Sequence, residues 1–552
     1  MVTTQALLAA QAVILRIRKK VSGSGTYPGS AERERVPGGP QSSKPHSRSP
    51  KQPNSRLLLL FSALCLLGAC DAPPETGPDA VPTVMMAREP LEVDPRFAAD
   101  VYSLKVSRLL FASLVKIDGA TLAPQLDLAE SIELRSPTHY WVTLRPRLRF
   151  SDGSALDAED VAATFRGLFG ETLGSRYRST YSRIARIEVH EPLQLSFFLK
   201  EPHATFLTDL EMPVLRAEDA LRPVGRGDLP VSSGAYVLSG RSRSELRLVR
   251  NPHHARRAPF ERLRLRVVRD DNIRALRMLT GAGDAVLDGF GPLLLPLFTE
   301  KQGFEVKSAP GVGTVYIGIN TEAGVLADLR VREALARAID RRRIVETKLA
   351  GRGRLARSFI PPGHWAYDPT TRTYDYDPAR ARALLEEAGV ELPLRLSLRC
   401  NSERERMSMA RVLIAMLREI GVEVTLRSTE TSTLLADLKR GQFELTLMLF
   451  PELIEPHVLS WFFGSDHIPS AEVEGANRWR VRDAALDEAL ERGRSETDLA
   501  LRKTAYRAVQ ARLAATLPVV PLWHEDVVAV FGPRMRGLQL PRHGRYDALV
   551  HP

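Results

Sequence analysis

Cysteine is almost missing from this chain. Its 552 residues hold three, Cys65, Cys70 and Cys400, which excludes a disulfide framework and a cysteine-based zinc site. Motifs of nucleotide binding and hydrolysis are missing too. Gly311-Val312-Gly313 and Gly281-Ala282-Gly283 lack the third glycine of a dinucleotide fingerprint, and no Gly-x4-Gly-Lys-Ser/Thr loop occurs. There is no His-Glu-x-x-His and no Gly-x-Ser-x-Gly, so the zinc-protease and serine-hydrolase signatures are absent. Long hydrophobic runs are scarce. The longest, Leu57 to Ala69, spans thirteen residues, whereas a membrane-spanning helix takes about twenty. "GPLLLPLF" at 291–298 is shorter still and carries Pro292 and Pro296.

Charge excludes another class. The formal charge is +11, but residues 1–69 hold ten Lys/Arg against two Asp/Glu, or +8, which leaves about +3 for the remainder. A surface that binds nucleic-acid phosphates is clustered. Here arginines are interleaved with acids, as on an ordinary solvated surface, and no nucleic-acid partner is expected.

The apolar run has the length of a secretory h-region, about 7–15 residues. Lys51 and Arg56 precede it, Gly68 and Ala69 close it, and "DAPPETGPDAVP" follows Cys70. Leu67-Gly68-Ala69-Cys70 resembles a bacterial lipobox, which implies a lipid attached to Cys70. Residues 57–70 are therefore expected to be a lipoprotein signal and 71–83 a Pro-rich tether. The upstream stretch 1–56 is rich in Gly, Ser, Pro and basic residues. It cannot bury enough apolar surface to fold, and it is expected to be disordered or mis-assigned, with translation starting nearer Leu57.

Roughly 480 residues remain, more than one hydrophobic core serves. Up to about 310 they read as mixed strands and helices. Tyr140–Leu144 has strand composition. Ser151-Asp152-Gly153 is a turn, and Asp157 caps a helix with Asp160 in its first turn. Val161, Phe165 and Leu168 make that helix's apolar face. Hairpins are expected over 186–199, turning at Glu191-Pro192, and over 233–252, turning at 239–244.

From about 314 strands alternate with helices. Asp328 caps one helix, and another runs from about Arg341 to Ala350. Asp377 caps a third, with Pro378 in its first turn and Gly389 closing it. "LRLSLRC", "VEVTL" and "FELTLMLF", separated by helices, read as β-α-β-α-β, a right-handed parallel arrangement. Ligands bind beyond the carboxyl ends of such strands. Glu452, two residues past the last strand, is a candidate on that ground.

These residues carry a resemblance. "LRPRLRFSDGSALDAEDVAATF", "SSGAYVL…LVRNPHH", "LTGAGDAVLDG", "YIGINTEAGVLADLRVREALARAIDRRRIV", "YDPARARALLEEAGV" and "YRAVQARLAATLPVVPLW" stand in the order seen in family 5 extracytoplasmic solute-binding proteins of ABC importers. That is the oligopeptide-, dipeptide- and nickel-binding group, and the resemblance covers almost all of residues 84–540. It implies an α/β, two-lobed periplasmic-binding-protein fold of the large peptide-binding class (type II). The first lobe would take residues 84–313, with a subdomain at about 131–229, and the second 314–512. Residues 513–552 would return to the first. Ligand would be enclosed by closure about a hinge, with crossings near Asn320 and Pro518.

In peptide-binding relatives the strand before the site leads into a Trp-x-x-Asp-x-x-Asp-Pro type of segment, whose first Asp pairs with the ligand's α-amino group. Here "FPELIEPHVLSWFF" stands there. The resemblance places Phe450 at the Trp, Glu452 at the first Asp and Glu455-Pro456 at the Asp-Pro. Phe450 and Trp461 are candidate ligand contacts, to be weighed against a place in the core. A peptide held by main-chain hydrogen bonds needs a free sheet edge, and Ser232, Ser233 and Gly234 are candidates to supply one.

The function implied is the substrate-binding component of an ABC importer, not an enzyme, working without a cofactor as a lipid-anchored monomer. It would lie on the periplasmic side of a bacterial membrane or on the cell surface. Its partners would be a peptide or similar small solute and the permease and ATPase subunits. Alternatives are a nickel-chelate or other small-solute carrier of the same fold, a surface lipoprotein that senses or scaffolds, and a hydrolase. His253 and His254 are adjacent and sit in the Asn-Pro turn, His457, His467 and His524 are scattered, and no metal ligand is assigned among them.

Overall fold

A computed structural model describes residues 80–550 apart from 171–172, 176 and 223–228. The expected signal, Cys70 and most of the tether lie outside the described residues. Val81–Ala275 and Gly283–Pro552 belong to one compact unit, which holds the four sheets found among the described residues. Leu276–Ala282 falls outside it and comprises the end of the helix Asp271–Leu279 and a turn with Gly281 at φ +77°.

Local signals are met as elementary chemistry predicts. Asp157 accepts from Glu159 N and Asp160 N, and Asp160 returns a bond to the Asp157 backbone, a reciprocal cap on Ala158–Phe169. Two orphan N–H groups of the first turn are thereby satisfied. Val161, Phe165 and Leu168 of this helix are completely buried. The helix Pro378–Glu387 starts with Pro378 behind Asp377, whose side chain accepts from Arg380 N. It stops where Gly389 takes φ +70°, a conformation that costs a residue with Cβ.

Three large sheets organise the unit, beside the two-stranded hairpin Val115–Ile117/Pro124–Leu126. The first has seven strands in the order Glu305–Ala309, Val527–Phe531, Ala285–Leu287, Thr83–Met86, Arg262–Val267, Glu245–Arg250, Tyr236–Arg241. A four-stranded antiparallel sheet takes the order Ala129–Ser136, His139–Leu144, Gln194–Leu199, Ile184–Glu191. The six-stranded sheet runs Gly353–Leu355, Val519–Glu525, Thr314–Ile319, Leu445–Phe450, Leu394–Asn401, Val422–Thr429. Each large sheet has its own buried cluster, around Leu248 and Phe531, around Phe165 and Phe197, and around Leu398 and Trp523 respectively.

The three alternating segments were expected to make a parallel arrangement, and they do. Leu394–Asn401 is parallel to both Val422–Thr429 and Leu445–Phe450. Thr314–Ile319 runs antiparallel to both of its neighbours, Leu445–Phe450 and Val519–Glu525, so Val519–Glu525 points the same way as the parallel three.

That arrangement moves the crossings. The chain passes from the seven-stranded to the six-stranded sheet at 310–313 and returns at Asp526. The two passages touch: a Cβ on Gly311 would overlap the Glu525 carbonyl oxygen. Asn320 and Pro518, expected at the crossings, stand at the other end of their strands. Asn320 Nδ2 donates to Gly441 O and Phe443 O, and Ile319 N donates to Pro518 O. Correspondingly, the return expected at 513 comes later, since Val519–Glu525 still belongs to the six-stranded sheet.

Candidate functional site

Parallel strands aim their carboxyl ends one way, and the loops beyond those ends are where an α/β fold builds sites. Thr83–Met86 is parallel to Arg262–Val267 and Ala285–Leu287 in one sheet, and Leu394–Asn401 to Leu445–Phe450 in the other. Residues just beyond these ends line one cavity of about 870 Å³. Ala87, Arg88, Glu89, Leu91, Arg269, Asp271 and Asp288 to Pro292 come from the seven-stranded side, and Glu403, Arg404, Glu405 and Leu449 from the six-stranded side. Glu525, Asp526 and Val528, at the return crossing, form its back.

The lining carries five arginines against eight carboxylates, a formal −3. Part of that charge is spent in fixing the walls. Asp526 is held by Arg354 and by Ser308 Oγ at 3.1 Å. Lys105, buried, lies 3.5 Å from Asp288 and 5.4 Å from the Tyr546 ring centroid. Arg274 donates to Val268 O at 2.6 Å, Arg269 O at 2.9 Å and Gly289 O, tying the loop after one strand to the loop after another. Burial pushes the Tyr102 phenol above its ordinary pKa, and the charge of Asp288 adds to this.

Other groups stay open to a guest. Glu405 and Asp271, from opposite sides, both approach Gly291. Desolvation in the cleft raises the Glu405 carboxyl, and the nearby Glu525 and Asp271 raise it further. Arg88 and Glu403 pair across the cavity from the two sides, both largely exposed. Leu91, Phe290 and Leu449 supply apolar wall between the charges.

None of the residues picked from the sequence lines this cavity. Glu452 is half-buried and already paired: Arg545 Nε donates to its Oε1 at 2.8 Å, and the same guanidinium contacts Glu211. Burial opposes ionisation of Glu452, but Arg545 and then Arg108 outweigh it and hold the carboxyl below its ordinary pKa. An incoming ammonium group would have to displace a guanidinium. Phe450 is core, packed edge-on to Phe359 and Phe462 at 5.7 and 5.0 Å between centroids. Trp461 is exposed and leans on His467 instead.

Ser232, Ser233 and Gly234 offer no free edge. Ser232 O accepts from Ser151 N, Ser233 Oγ accepts from Ala112 N and donates to Val214 O, and Gly234 N donates to Leu110 O. The residues that do line the cavity were open to the rule that singled out Glu452. Arg88, Asp288 and Glu403 each stand one or two residues beyond a strand end. Which strands are parallel, and hence which ends converge, is not visible in one linear pattern.

Residues 123–467 match the bacterial extracellular solute-binding proteins, family 5 (middle region), and the chain belongs to that family. It is 29% identical over 371 residues to di/tripeptide-binding protein 2 of Pseudomonas aeruginosa, covering 63% of this chain and 67% of the relative. It is 24% identical over 420 residues to the nickel-binding periplasmic protein of Escherichia coli, covering 71% and 79%. Among solved structures it resembles NikA from Brucella suis in complex with Fe(III)-EDTA, with a TM-score of 0.78 and 21% identity over 86% of this chain and all of that one. It also resembles the oligopeptide-binding protein AppA from Bacillus subtilis in complex with a nonapeptide, with a TM-score of 0.72 and 22% identity over 87% and 99%. The fold is the two-lobed periplasmic-binding-protein fold, and no helix among the described residues is long and apolar enough to cross a membrane.

Proposed function

We propose that this protein is the solute-capturing component of an ABC importer, holding a peptide-like guest in the cavity between its lobes and releasing it to a membrane permease. The observation that carries the reading is the 870 Å³ cavity walled by residues of both lobes and backed by the return crossing. Its size lies in the range of small-molecule sites, about 300–1,000 Å³. A guest that touches Asp271 and Glu405 together makes both sets of contacts only when the lobes are closed, so it favours the closed state. Passages at 310–313 and Asp526 serve as the pivot. The net acidity of the lining suits a guest that carries positive charge, as the free amino group of a peptide does.

Names of relatives support the peptide reading, since two of them are a di/tripeptide-binding and a dipeptide-binding protein. The finer picture is of a monomeric carrier without enzymatic activity. It is tethered by a lipid on Cys70 to the outer face of a bacterial membrane and works with permease and ATPase subunits. Native mass spectrometry of the purified protein tests the central claim. Co-purifying peptides, lost on Glu405→Gln with Asp271→Asn, are expected. A guest of another class, or binding indifferent to both substitutions, overturns it. Metabolic labelling with a fatty acid, compared between the natural chain and Cys70→Ala, tests the anchor.

A further inference from the structure

A second cavity, of about 590 Å³, shares no lining residue with the first. Lys116, Ile117, Asp118, Gly119, Ala120 and Gln125, of the hairpin Val115–Ile117/Pro124–Leu126 and its turn, make one wall. Arg256 and the segments Gln539–Arg542 and Asp547–Ala548 make the other. The walls are fitted to each other: a Cβ on Gly119 would lie 2.6 Å from Pro541 Cβ. Lys116 and Gln125 are cross-strand partners, so their side chains share a face of the hairpin. Ile117, Pro541 and Ala548 are buried and give an apolar floor.

Acids and cations of this cavity are unequally committed. Asp118 is consumed by its own turn, accepting from Ala120 N, Thr121 N, Thr121 Oγ1 and Gln125 Nε2 at 2.7–3.1 Å. Asp547 lies 3.2 Å from His543 Nε2. Arg542 donates only to neutral carbonyls, those of Pro310 at 3.1 Å, Pro362 at 2.8 Å and Ala120 at 3.5 Å. Among the described residues no carboxylate forms a salt bridge with Lys116, Arg256 or Arg542. Burial pushes the Lys116 ammonium below its ordinary pKa, while Asp127, Asp547 and Asp118 pull the other way from longer range.

Three cations without a carboxylate partner, converging on a concave surface with an apolar floor, match the makeup of a small-molecule site: mostly apolar walls with a few polar groups that fix orientation. We propose that this cavity is a second binding site, for an acidic solute, in which Lys116, Arg256 and Arg542 hold carboxylate or phosphate oxygens above the Ile117–Pro541–Ala548 floor. Ionised hydrogen bonds of this kind are the strong ones. The assignment stands apart from the cavity between the lobes and does not rest on what that one carries.

Isothermal titration of the full chain at low salt tests it, with succinate, inorganic phosphate and uncharged succinamide as probes. Saturable binding of one succinate or one phosphate per chain is expected, with no heat of binding from succinamide. Lys116→Gln and Arg256→Gln, each half-buried or exposed and so tolerable to the fold, should each weaken the anion by about tenfold or more. Arg404→Gln, in the cavity between the lobes, should leave that affinity unchanged. Absence of saturable binding by both anions overturns the proposal. So does binding that survives Lys116→Gln/Arg256→Gln in a chain of unchanged circular dichroism, or binding lost with Arg404→Gln.

Discussion

Arg545 Nε lies 2.8 Å from Glu452 Oε1, and that one contact joins the C-terminal segment packed on the seven-stranded sheet to the loop leaving the six-stranded sheet. The same guanidinium reaches Glu211 beside the four-stranded sheet. One buried cation therefore ties together the surroundings of the three large sheets.

Removing that cation should be costly. Arg545→Met leaves Glu452 without its salt bridge and Glu211 with Arg108 alone, at about 3–5 kcal/mol of stability. Replacing all three by apolar residues of similar volume should restore most of it, because Arg545 and the two carboxylates leave together and Arg108, which loses Glu211, is partly open to water. Thermal and urea unfolding of the single and triple variants measure both. A triple variant no more stable than Arg545→Met would show that the uncompensated charges are not the source of the loss.

Acid should expose the same contact. The folded pKa of Glu452 is held below its unfolded value, so its stabilisation is complete above the ordinary carboxylate range and is lost as pH falls through the folded pKa. Glu452→Gln should therefore lose stability at neutral pH and show a shallower fall at the acid end. Denaturant midpoints measured from pH 7 to about pH 2.5 span the window in which such a carboxylate titrates and give both slopes.

His524 should act in a higher window. It is buried, with Nδ1 3.0 Å from Thr314 Oγ1 and 3.2 Å from Gly313 O, beside the first crossing. Burial lowers its pKa to about 4, so the unfolded chain binds the proton first. Stability is full above the unfolded value of about 6.5 and declines as pH falls toward 4, by up to roughly 3 kcal/mol. Substituting Gln should flatten the profile between those values.

The crossing itself can be probed with a single methyl group. Gly311→Ala places its Cβ on the Glu525 carbonyl oxygen, and backbone on that side has no rotamer to yield. The two passages must move apart, at a cost of about 1–3 kcal/mol. Small-angle scattering should show a changed radius of gyration as well as a lowered melting temperature. A drop in melting temperature with an unchanged profile would place the strain elsewhere.

Asp157→Ala offers a local comparison. It removes the side chain that accepts from Glu159 N and Asp160 N, and a lost cap costs about 1 kcal/mol. Because the helix packs in the four-stranded sheet's cluster, ligand binding between the lobes should be untouched.

Much of the architecture was written locally. The Asp157 cap, the stop at Gly389, the hairpin over 186–199 and the apolar face of Val161, Phe165 and Leu168 each depend on residues within a few positions of one another. Such signals survive in a single sequence because hydrogen bonding at a helix end and side-chain periodicity are short-range effects. The two-lobed fold was what the family resemblance of six motifs in order implied.

The site was decided by tertiary structure. The sequence put Glu452 past a strand end, yet only the fold brings Arg545 to it from 93 positions away. Phe450 reads as a ligand contact from its place in a motif, and packing against Phe359 and Phe462 makes it core. Asn320 and Pro518 sit where the alternating pattern begins and ends, but the backbone leaves one sheet for another at 310–313 and Asp526. By itself the sequence determined which elements form. Which strand ends converge, and which charges are already paired before a guest arrives, depends on long-range register and packing that no local pattern encodes.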